Sequence, residues 1–210
     1  MDPPRHGGAR MTDSFMKLFA QSISWVFHPV IFSLLVPFFI VYWQTTDIFY
    51  SLKWTIFSLF FLLLALGIFF VMRPKEFFSD FDIYKREKRV AFYFVACAIA
   101  FIYFLVSVYF KGIFFPLSGV ALGIVLGLVL LEIINAYIKA SIHVAIVCSF
   151  VLTMGILYGW RIFVLTVWIP PLVGFSRLQL HKHTPKEVTV GAFFGVFVTL
   201  ATYLIGKLVL

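Results

Sequence analysis

Two histidines, one carboxylate and a set of cationic side chains are the residues of this 210-residue sequence whose types and spacing could do chemistry. They fall in three polar clusters separated by long apolar runs. The first is Asp80-Phe-Asp82-Ile-Tyr-Lys85-Arg86-Glu-Lys-Arg89, the second Lys139-Ala-Ser141-Ile-His143, and the third Ser176-Arg177-Leu-Gln-Leu-His181-Lys-His183-Thr-Pro-Lys-Glu187. Guanidinium and ammonium groups hold phosphate oxygens, Arg through its bidentate fork. Two well-separated histidines can divide the work of nucleophile and general acid. Glu187, four residues after His183, would share a helical face with it and could orient the imidazole and stabilise the imidazolium. The set contains what phosphoryl transfer from a lipid phosphate needs, and nothing in it requires a metal or another cofactor. His181 alternates with His183, but only His183 has a carboxylate at i+4.

The elements that must position these residues are membrane spans. Hydrophobic residues make up 62% of the chain and charged residues 12%, with a mean hydropathy of +1.03, against roughly 45–50% and about 25% in an ordinary soluble domain. That excludes disorder and a soluble globular class, and predicts an all-α polytopic membrane bundle of about six to seven helices. A helix crosses the hydrocarbon in about 20 residues, and Trp25–Trp43, Trp54–Met72, Val90–Phe110, Pro116–Tyr137, Ile142–Gly159 and Val188–Leu208 read as spans. Arg161–Phe175, carrying Pro170-Pro171, reads as a kinked or tilted seventh. Residues 1–24 form a polar, interfacial N-terminal segment and 25–210 one transmembrane domain. Glu132, Asn135 and Lys139 form a stripe on span four, and a charge at such depth should face the bundle. His28, before Pro29, falls near the start of span one, where an interfacial role is the first reading.

The three clusters follow the second, fourth and sixth spans, so span parity brings them to one membrane face. Thirteen of the 17 basic residues lie on that side and only Lys53, Lys111, Arg161 and Lys207 opposite, which makes the shared face cytoplasmic by the positive-inside rule. The net charge of +8 is explained by this flanking pattern, and no nucleic-acid partner is expected. Cys97 and Cys148 lie inside apolar runs and read as small core hydrophobes.

Ser176-Arg177, five residues, His183, three residues and Glu187 resemble the signature S-R-x5-H-x3-D of the type 2 phosphatidic acid phosphatase superfamily, lipid phosphatases related to vanadium haloperoxidases. Ser141-Ile142-His143 is similar to that family's P-S-G-H signature, with Ala140 for Pro and Ile142 for Gly. The family's K-x6-R-P signature is divergent: with Arg89-Val90 aligned to its Arg-Pro end, Val90 stands for Pro and Asp82 falls where the Lys should be, with Lys85 or Arg86 as the candidate substitutes. The resemblance covers about Asp80 to Glu187 and the following span. It implies a metal-independent membrane phosphatase acting on a lipid phosphate or polyprenyl diphosphate. In that scheme His183 is the nucleophile, His143 the acid and Glu187 the orienting carboxylate, with Lys85, Arg86, Arg89, Ser141 and Arg177 on the phosphate. A bacterial or archaeal cell membrane is the expected location. Two rival readings of the same residues are a catalytically inactive lipid-binding or scaffold relative and a Mg²⁺-dependent intramembrane prenyltransferase built on Asp80 and Asp82.

Overall fold

The structure, a computed structural model, describes residues 7–72 and 86–209. Nine helices and no strand are found among them: α1 Gly7–Val26, α2 Pro29–Thr45, α3 Ile48–Met72, α4 Arg86–Lys111, α5 Pro116–Asn135, α6 Ile142–Tyr158, α7 Trp160–Thr166, α8 Ile169–Gln179 and α9 Pro185–Val209. Six stretches are long and apolar enough to cross a bilayer, and α6 is a shorter apolar helix of 17 residues. The chain is an integral membrane protein with an all-α fold. Its outward side chains agree with lipid as the solvent, since Phe49, Phe94 and Phe193 are each more than two-thirds exposed.

Local chemistry sets the helix ends. Asp47 caps α3 by accepting the Tyr50 N–H on Oδ1 at 3.0 Å. Pro116 occupies the first turn of α5, where no N–H is needed. Gly112 after α4 and Gly159 after α6 take φ of +84° and +90°, which a Cβ would disfavour. Three boundaries differ from the sequence expectation. Trp25 belongs to the end of α1, and the chain breaks at Phe27-His28 because Pro29 disfavours helical geometry in the residue before it. Pro170-Pro171 cannot donate to the carbonyls a turn earlier, so the kinked seventh span is two helices, α7 and α8, which together make one 20-residue crossing. Finally, α5 ends at Asn135, so Lys139 lies beyond the helix that was to carry it in a stripe with Glu132.

The described chain divides into two compact units. One contains Ser33–Ile138 and the chain from Phe197 onward. There α4 packs on α5 and α3 on α4, with polar pairs between helices: Ser58 with the Tyr103 hydroxyl at 2.9 Å, Ser107 with Ser118 at 2.9 Å, and Asn135 Nδ2 donating to the Tyr93 hydroxyl at 2.8 Å. In a medium that offers no water, such pairs satisfy groups that would otherwise be stranded.

The other unit contains the described chain up to Phe32 together with Lys139–Val196. In it α1 packs on α8, and α6 on both α7 and α8. Its core is Ile23, Phe32, Val144, Val147, Phe150, Val151 and Val173, all nearly sealed from solvent. Two glycines one helical turn apart let α9 approach the chain entering α6. A Cβ on Gly191 would meet the Ser141 backbone, and one on Gly195 the Ala145 carbonyl. This is the small-x-x-x-small spacing that lets membrane helices meet backbone to backbone. Ser149 Oγ completes the contact by donating to the Gly195 carbonyl at 3.0 Å.

Candidate active site

The first turn of α9 builds the most specific feature of this unit. Thr184 is its N-cap: Thr184 Oγ1 accepts the Glu187 N–H at 3.4 Å, while Glu187 Oε2 accepts the Thr184 N–H at 3.0 Å. That reciprocal pair is a capping box, with Pro185 in the first helical position. The same Oε2 lies 3.0 Å from Nδ1 of His183. A carboxylate can only accept, so Nδ1 donates, and the neutral ring keeps its lone pair on Nε2. His183 precedes the cap, so the two residues do not share a helical face as the spacing suggested. They meet because the capping box folds the Glu187 side chain back over the helix start. The His183 side chain is 5% exposed and that of Glu187 21%.

The turn before it delivers His183 inward. At the end of α8 the Lys182 N–H reaches the Arg177 carbonyl at 3.1 Å and the His181 N–H the Leu178 carbonyl at 3.0 Å. These are the two bonds of a Schellman turn. His181 fills its left-handed position with φ +52° and is exposed, while the chain reversal carries the ring two residues later into the protein.

Upstream on α8, Ser176 and Arg177 are buried, and α1 meets them. Ser176 Oγ donates to the Ala20 carbonyl at 2.6 Å, and Arg177 Nη1 donates to Ser24 Oγ at 3.3 Å. The N-terminal segment read as interfacial thus supplies contacts to a site residue. Nothing in its sequence marks Ala20 or Ser24 for this, because the contact joins residues 153 apart.

The start of α6 closes the group. The Ser141 N–H donates to the Glu187 carbonyl at 3.0 Å, which ties the second cluster to the third through main-chain atoms. Ser141 Oγ is buried and makes no hydrogen bond, and α6 has no side-chain cap. His143, in the first turn, is half-buried and within electrostatic reach of Arg177, His28 and His183. The His28 ring stands edge-on to the His143 ring, with centroids 5.3 Å apart and planes at 88°.

His183, Glu187, Ser141, His143 and Arg177 are therefore brought together. Lys85 lies outside the described residues, as do Asp80 and Asp82, and of Arg86 and Arg89 only the backbone, in the first turn of α4, is described. Glu132, in the other unit, has a buried Oε2 with no hydrogen-bond partner. Sequence reasoning missed Gly191 and Gly195, whose i, i+4 spacing on an apolar helix was the available signal. His143 lies in the first turn of α6, His183 just before the cap of α9, and His28 at the start of α2 with its ring against that of His143. The buried Ser141 hydroxyl without a hydrogen-bond partner and the buried Arg177 guanidinium are donors of the kind an anion takes. The chain matches no protein-family model, and no curated protein and no solved structure gives a significant match to it.

Proposed function

We propose that the protein is a membrane phosphatase of the type 2 phosphatidic acid phosphatase kind, hydrolysing a lipid phosphate or polyprenyl diphosphate without a metal. The observation that carries the reading is the buried His183 held by Glu187 at 3.0 Å, which aims Nε2 as a nucleophile. In the first step Nε2 forms a bond to phosphorus, the bond from phosphorus to the lipid oxygen breaks, and His143 gives its proton to the departing oxygen. In the second, water attacks the phosphohistidine, the P–N bond breaks, and His143, now neutral, takes the proton from the water. Glu187 stabilises the imidazolium character that His183 acquires. Arg177 and Ser141 hold the equatorial oxygens, which carry most charge in the transition state; the family resemblance adds Lys85, Arg86 and Arg89 as further phosphate ligands.

The substrate is amphipathic and reaches the site from the bilayer. The excess of basic residues in the loops assigned to this face supports a cytoplasmic active face, and the membrane in this reading is a bacterial or archaeal cell membrane. Phosphate release by the purified protein from phosphatidate, phosphatidylglycerophosphate and a polyprenyl diphosphate tests the reading. Release is expected from at least one, with full activity in EDTA and inhibition by vanadate, which mimics the trigonal-bipyramidal transition state. Activity abolished by EDTA and restored by Mg²⁺ would favour the prenyltransferase reading, and no release from any of them a lipid-binding role.

A further inference from the structure

We propose that His28 is a positioning residue for His143: an uncharged ring, held in one tautomer by a helix cap, that fixes the plane from which His143 passes its proton. The inference rests on the phosphatase reading of the site. It starts from the break between α1 and α2. His28 is the N-cap of α2: its carbonyl accepts the Ile31 N–H at 2.9 Å and its Nδ1 accepts the Val30 N–H at 3.3 Å. A ring nitrogen that accepts carries no proton, so His28 is the neutral Nε2–H tautomer.

Capping alone would not call for this residue. Asn, Asp, Ser or Thr caps a helix better than His, and Pro29 already supplies the chain break and the preset first turn. What histidine adds is a ring, and the ring meets His143 edge to face at 5.3 Å. Edge-to-face contact is the preferred geometry for two aromatic rings, and it restricts rotation of each about its own χ2. His143 lies in the first turn of α6, where its own helix leaves the imidazole plane unset. Among the described residues, the other charged or titratable groups facing it are Arg177 and His183. Arg177 can only donate and His183 is engaged with Glu187, which leaves His28 as the neighbour able to set the plane without adding charge beside a proton donor.

A general acid works only when its N–H points at the leaving oxygen, so loss of His28 should be felt in leaving-group protonation and not in attack by His183. The test uses the full-length protein with two substitutions. His28→Asn keeps a strong cap acceptor and removes the ring, whereas His28→Phe keeps a ring edge and removes the cap. With the Asn variant, kcat on phosphatidate should fall about tenfold or more at unchanged KM, while p-nitrophenyl phosphate, whose leaving group needs no proton, should change by less than about twofold. The Phe variant should be less stable to heat yet keep the wild-type ratio of the two rates. Equal loss on both substrates, or loss on neither, overturns the proposal. If the wild-type protein releases phosphate from neither of these substrates nor from phosphatidylglycerophosphate or a polyprenyl diphosphate, the phosphatase reading fails by itself. Histidine ¹⁵N spectra then decide the positioning: His28 should show the Nε2–H tautomer, and the His143 signals should shift in the Asn variant. A proton on His28 Nδ1, or unmoved His143 signals, overturns the proposal in that case too.

Discussion

Glu187 Oε2 accepts two donors at once, the Thr184 N–H and the His183 Nδ1–H, and a substitution can separate them. Gln at position 187 still accepts both through its carbonyl oxygen and remains a good capping-box residue, but it cannot stabilise an imidazolium by charge. Glu187→Gln should therefore leave thermal stability within about 0.5 kcal/mol of wild type and lower kcat by about a hundredfold or more, measured as phosphate release beside a melting curve. His183→Ala should remove release by several orders of magnitude, and ³²P trapped on the denatured wild-type protein should be absent from this variant. His143→Ala should spare substrates with good leaving groups. At this scale the sequence was legible where the contact is local. The link between His183 and Glu187 follows from a spacing of four, although a cap and not a shared face makes it. The links from Ala20 and Ser24 to α8 were not legible, since two ordinary small residues acquire their partners only when distant helices pack.

Helix ends and helix crossings give sharper tests than helix interiors. His181 in the left-handed region costs about 1–2 kcal/mol relative to an unstrained residue, and Gly occupies that position without the penalty. His181→Gly should raise stability by about 1 kcal/mol and leave turnover unchanged, read from melting in detergent and an activity assay. A large loss of turnover would instead make His181 the functional histidine. On α9, a Cβ at Gly195 would enter the Ala145 carbonyl, a backbone atom that cannot step aside, whereas a Cβ at Gly206 meets nothing. Gly195→Ala should abolish folding or activity, measured as yield of monodisperse active protein, and Gly206→Ala should be neutral or stabilising by about 0.5–1 kcal/mol. The apolar runs made most helices readable in advance. The break at His28-Pro29 was hidden because hydrophobicity continues through it, and α1 because its polar residues looked like a tail and not the face of a helix packed on α8.

Across the whole molecule, orientation in the bilayer is the property most open to a direct experiment. Three apolar stretches lie between Lys111 and Lys186: α5, the 17-residue α6, and α7 with α8; if α6 crosses with the other two, as the seven-span reading of the sequence has it, the two lysines stand on opposite sides of the membrane. Single cysteines at these positions, with Cys97 and Cys148 replaced by Ala, should react with an impermeant maleimide in intact cells at 111 and only after permeabilisation at 186. The opposite pattern would place the histidines outside the cell. The all-α class was legible from hydropathy alone, because a bilayer admits so few kinds of backbone. Which helix ends meet was not, because hydropathy is the same for every pairing of spans. One peptide N–H to carbonyl bond, from Ser141 to Glu187, and two glycines hold the segment bearing one imidazole against the segment bearing the other. The peptide hydrogen bond makes no demand on any side chain, whereas positions 191 and 195 leave no room for one. The lipid-facing surface of such a protein is free to turn over letter by letter while the spacing of its histidines stays fixed, so distant descendants would share a geometry long after they had ceased to share a recognisable text.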